Sequence, residues 1–121
     1  MTERRPEVWM RGALPGYPPL LQPIAHSLMQ SLEGVQSHLT PLTPEQLWER
    51  SKGAAAAGYH VRHAAGSLDR VLTYARGETL SPAQLAALKM EGEPDLEEGA
   101  AARLDEHFAA AIARVLEPRL L

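Results

Sequence analysis

The segment from Gly58 to Ala75, GYHVRHAAGSLDRVLTYA, constrains the fold of this chain more than any other. It reads as one long helix. At about 100° per residue, with His60 set at zero, Val71, Ala64, Ala75, Leu68, Val61 and Leu72 sweep out one continuous arc. Tyr74, Ser67 and His63 extend that arc on the other side, and Arg62, Asp69, Thr73 and Arg76 are left for water. An apolar arc this wide needs more than one neighbour, as the helices of a bundle have. His60 and His63 stand one turn apart on one face. A histidine there is either a packed residue or a metal ligand. His63 lies at the polar edge of the arc beside Ser67 and Tyr74, a natural place for a pocket.

Composition narrows the class. A chain of 121 residues is long enough for one domain with a real core. Ala and Leu dominate and β-branched residues are few, which predicts an all-α fold. The net charge is −3 and no basic patch appears, so no nucleic-acid partner is expected. Cysteine is absent, so any metal would be held by His, Asp, Glu or water. The charged stretch Thr2–Glu7 has no apolar core and does not read as a signal peptide. No apolar run reaches bilayer length, so no membrane partner and a cytoplasmic location are expected.

Residues 1–19 read as an N-terminal arm, rich in proline and carrying Val8, Trp9, Met10, Leu14 and Tyr17. The arm is expected to strap across the bundle domain, residues 20–121, with Trp9 as its anchor. The first long helix is placed at about 20–39, with Leu21, Ile24, Leu28, Leu32, Val35 and Leu39 as its stripe. His26 falls nearly opposite that stripe, which suggests a surface or dimer face. Thr43-Pro44-Glu45-Gln46 reads as a capped start, and Trp48 is expected to close the end of the core. The central helix is placed at 54–76, ended by Gly77. Ser81-Pro82-Ala83-Gln84 caps a brief helix to Met90. A third long helix is placed at 95–117, opened by Asp95, Glu97 and Glu98, striped by Ala101, Leu104, Phe108, Ala111, Ile112 and Val115, and ended by Pro118. His107 lies at the flank of that stripe. The central helix carries more apolar surface than two neighbours cover, so a fourth helix is expected to be absent or supplied by a second subunit.

The order Leu42-Thr43-Pro44-Glu45-Gln46-Leu47-Trp48, a short loop, then Tyr59-His60-Val61-Arg62-His63-Ala64-Ala65-Gly66-Ser67 resembles the DinB-like superfamily, which includes YfiT-type proteins. The resemblance covers about residues 18–116. It implies an up-and-down four-helix bundle, often dimeric, with a zinc or nickel ion held by three histidines. His63 matches the ligand from helix two. The other two ligands, an H-x-x-x-H pair on a fourth helix, have no match here, which leaves His60 and His107 as the remaining histidine candidates. Ser67 and Tyr74, on the same edge, would orient substrate.

Two functions follow as expectations. One is a metal-dependent enzyme of thiol-transferase or hydrolase type, acting on a thiol or another small molecule. The other is a non-catalytic helical module that forms homodimers, or a stress-induced, damage-inducible protein without bound metal.

Overall fold

The computed structural model describes residues 5–117, and every regular element among them is helical. Pro118 lies outside the described residues. Five α-helices follow in order: α1 Gln22–Leu39, α2 Pro44–Leu47, α3 Ala57–Ala75, α4 Pro82–Met90 and α5 Ala100–Val115. The all-α expectation holds. No described helix is long and apolar enough to cross a membrane.

The arm is tied down, but not through Trp9. A 3₁₀ turn at Val8–Arg11 turns Val8 inward, 3% exposed, and leaves Trp9 53% exposed. Successive residues of a 3₁₀ turn point about 120° apart, so one of the two must face out. The Val8 amide donates to Gln30 Oε1 at 2.9 Å. Arg11 grips both carboxylate oxygens of Glu33, at 2.6 and 2.8 Å. That grip holds the Glu33 carboxyl below the usual carboxylate range. His26, expected on a surface or dimer face, lies at the surface, where it donates from Nε2 to Gly12 O at 2.9 Å and so holds the arm. Tyr17 donates to Leu116 O at 2.9 Å, tying the arm to the end of α5.

Both predicted caps form as complete capping boxes, Thr43 with Gln46 and Ser81 with Gln84. Leu47 and Trp48 then close one end of the core against Leu39, Ala56, Ala100 and Leu104. The third long helix starts five residues later than predicted. Gly99, at φ 85°, breaks the chain before it. Arg103 reaches back to both oxygens of Asp95 at 2.9 and 3.0 Å, and to the Glu98 carbonyl at 2.9 Å. The acidic run is thus gathered around one guanidinium instead of opening the helix. The Arg103 hydrogen bonds hold the Asp95 carboxyl below its ordinary range.

α5 is the centre of the packing. It lies against both α3 and α1, and a groove remains open between those two. Ala65, Phe108 and Ile112 form the buried middle, flanked by Leu28, Leu32 and Leu68. The buried face of α3 is Gly58, Ala65 and Thr73, turned about a quarter-turn from the centre of its apolar arc. Val71 is therefore 62% exposed and Tyr74 58%. Of the polar groups expected to face water, Arg76 does so, but Arg62 and Asp69 are half-buried and Thr73 is buried. Arg62 donates to the Met90 and Glu93 carbonyls at 3.1 and 2.6 Å. Thr73, 3% exposed, accepts from Gln84 Nε2 at 2.7 Å. Backbone carbonyls and cap side chains around α4 need donors and acceptors, and the polar side of α3 supplies them.

Candidate functional site

The edge of α3 that carries His63 is built around a residue from elsewhere, Glu91, just past the end of α4. Glu91 is 4% exposed. His63 donates from Nδ1 to Glu91 Oε1 at 2.8 Å, and Arg70 donates to Glu91 Oε2 at 2.7 Å. Arg70 also reaches Ser67 Oγ at 3.2 Å. A buried carboxylate costs several kcal/mol unless it is paired and hydrogen-bonded; here each oxygen has its own partner. Gly66 makes the approach possible. A Cβ there would sit 2.2 Å from Glu91 Oε2 and 2.7 Å from Arg70 Nη1.

The imidazole is held on a second side by Tyr59, whose ring stacks on it at 5.4 Å and 13°. His60 packs edge-on against the same tyrosine at 5.5 Å. With Nδ1–H committed to Glu91, the neutral form of the His63 ring has its lone pair on Nε2, and the side chain is 44% exposed. His107 is exposed on α5, where it lines a cavity of about 500 Å³ that also includes Glu91, Arg62 and Arg103. His63 does not line that cavity. Among the described residues, no three His, Asp or Glu side chains stand close enough to share a metal ion. Of the candidate ligands, His60 and His63 meet around Tyr59, and His107 is apart from them. Of the two candidate substrate residues, Ser67 is engaged with Arg70 and Tyr74 faces solvent.

Glu91 and Arg70 escaped the sequence reading. Glu91 sits in a run, Glu91-Gly92-Glu93-Pro94, that reads as a helix stop. The available signal was Gly66. An isolated glycine inside a helix costs about 1 kcal/mol and points to a close approach by another group.

Fold and site together define an all-α bundle bearing a carboxylate-braced, half-exposed histidine. Comparison of the chain with protein-family models, curated proteins and solved structures finds no match in any of the three.

Proposed function

We propose that this chain is the scaffold of a DinB-like, divalent-metal-dependent enzyme of thiol-transferase or hydrolase type, with His63 as a metal ligand. The observation that carries this reading is the Glu91–His63 pair. Metal-binding histidines give their second ring nitrogen to a carboxylate or carbonyl, which fixes tautomer and orientation and raises ligand basicity. Glu91 holds the proton at Nδ1, Arg70 holds Glu91, and Tyr59 restricts rotation of the ring. His63 fits one position of such a site. A catalytic centre generally takes three protein ligands; His107 stands apart from His63, so the others would come from His60 and from a second subunit. A bound zinc or nickel ion would supply Lewis-acid activation of a water or thiol substrate.

Metal content per chain, measured by plasma mass spectrometry on protein purified without a histidine tag, tests this. Near-stoichiometric metal is expected in the wild type and none in His63→Ala. Glu91→Gln, checked for folding by circular dichroism, should bind metal about 10- to 100-fold more weakly. A metal-free wild type, or full retention in His63→Ala, rejects the assignment.

A different observation favours a second reading, a non-catalytic helical module that pairs with its own copy. The groove between α1 and α3 is lined by Ser31, Gly34, Val35, Leu39, Ala57 and Val61, small and apolar enough to seat another helix. A damage-inducible role without metal rests on the resemblance alone.

A further inference from the structure

α4 is apolar on every side, yet none of its residues is buried. Leu85, Leu88 and Met90 are 46%, 38% and 56% exposed, and Ala83, Ala86 and Ala87 are exposed among them. A helix apolar all round is ordinarily covered all round. Polar groups alone hold this one to α3. Gln84 donates to Asp69 and Thr73, Arg62 donates to the Met90 and Glu93 carbonyls, and Glu91 accepts from His63 and Arg70. Towards α5 the helix leaves a groove of about 500 Å³. Ala87 and Met90 line it from α4, and Ala100, Leu104 and His107 line it from α5. The last three stand at i, i+4 and i+7, a wall about 10 Å long. The rim is acidic. Residues 91–98 hold five carboxylates and no Lys or Arg. Glu91 is paired with Arg70 and Asp95 with Arg103. Among the described residues, no hydrogen bond or ion pair engages the carboxylates of Glu93, Glu97 and Glu98, and all three residues are exposed. Glu93 lines the groove. Glu97 and Glu98 are held beside it by their carbonyls, which accept from Arg103 at 3.2 and 2.9 Å. The guanidiniums in the groove, Arg62 and Arg103, are spent on backbone carbonyls and on Asp95. Lys89 points about 100° around α4 from Met90.

We propose that the groove between α4 and α5 docks a basic amphipathic helix of a partner protein. Apolar side chains one turn apart on that helix enter between Met90 and Leu104. Lysines or arginines on its flanks meet Glu93, Glu97 and Glu98. A helix suits the groove better than a small ligand does, because the apolar surface continues past it, over the outer side of α4 and onto Leu96, 57% exposed. The free carboxylates select a basic partner. They disfavour a second copy of this chain, whose own net charge is −3, and they repel nucleic acid and anionic lipid. Neither the metal assignment nor the groove between α1 and α3 enters this proposal.

The experiment titrates the full, isotopically labelled chain with a synthetic basic helix, acetyl-LKKLLKLLKKLLKL-amide. Proton–nitrogen correlation spectra locate the contact and calorimetry gives the affinity. Saturable shifts are expected at the Gly66, Ala87 and His107 amides, with the Gly34 amide of the α1–α3 groove unmoved, and a Kd of about 10 μM. Met90→Gln alters an exposed side chain and no charge; it should weaken binding about fivefold. Glu93→Gln, Glu97→Gln and Glu98→Gln combined should weaken binding about tenfold at low salt and remove most of its salt dependence. Absence of a saturable shift overturns the proposal. So does equal binding of a peptide of the same composition with its leucines scattered around the helix, or of one with glutamate for lysine. Shifts centred on Gly34, or variants that bind like the wild type, overturn it as well. Shifts of the groove amides on concentrating the chain alone would give the groove to a second copy and refute a basic partner.

Discussion

Gly66 fixes the geometry around His63 by lacking a side chain. Replacing it with alanine sets two effects against each other. Alanine gains about 1 kcal/mol in helix propensity. The new methyl would also displace Glu91 Oε2 and Arg70 Nη1, which lie 2.2 and 2.7 Å from its position. Both are side-chain ends, but Glu91 is buried and held on both oxygens, so it has little room to yield. Losing charge-assisted hydrogen bonds costs about 1.5–3 kcal/mol each. The loss is larger, and Gly66→Ala should be destabilised by about 1–2 kcal/mol in urea unfolding, with a shifted His63 ring signal. A stabilised variant would mean that Glu91 relaxes freely. His63 itself was legible from the sequence, because its neighbours on the helix mark a polar edge. Its carboxylate partner was not: Glu91 is 28 residues away, and helical periodicity says nothing about contacts at that range.

Helix existence was read well and helix orientation poorly. The caps at Thr43 and Ser81 were visible because capping chemistry is local. The rotation of α3 was not, because it depends on what the polar side of the helix meets. Gln84 shows why. Its side chain closes the Ser81 box at 2.8 Å and donates to Asp69 at 2.9 Å and Thr73 at 2.7 Å on α3. One residue thus caps α4 and docks it. A cap alone is worth about 1 kcal/mol, and each of the two hydrogen bonds that Gln84 gives to α3 adds about 0.5–1.5 kcal/mol. Gln84→Ala should therefore cost about 2–3 kcal/mol. Ser81→Ala, which removes the cap but keeps both contacts to α3, should cost only about 1 kcal/mol. Equal losses from the two, measured by chemical denaturation, would show that the docking bonds contribute nothing.

The whole molecule exposes more surface than its size warrants. The chain has 8393 Å² accessible, whereas a compact monomer of 121 residues exposes about 6,400 Å². Granting the eight residues outside the described range the full area of an unfolded chain still leaves an excess of about 1,000 Å². A standard interface removes about 800 Å² from each partner. The excess therefore matches what one stable contact would cover. The bare half of the α3 arc, with Ala64 and Val71, and the adjoining groove to α1 are the apolar surfaces available for it. A second copy is the occupant proposed for it, since an isologous contact would present each groove to its twin and close after one pairing. The chain is thus expected to sediment as a dimer at micromolar concentration. Gly34 lines the groove and has open space around it. Gly34→Lys places a charge in the contact without touching the core, and it improves helix propensity. It should yield a folded monomer with unchanged helical content. A wild type that sediments as a monomer, or a Gly34→Lys variant that remains dimeric, would remove the groove from consideration as the pairing surface.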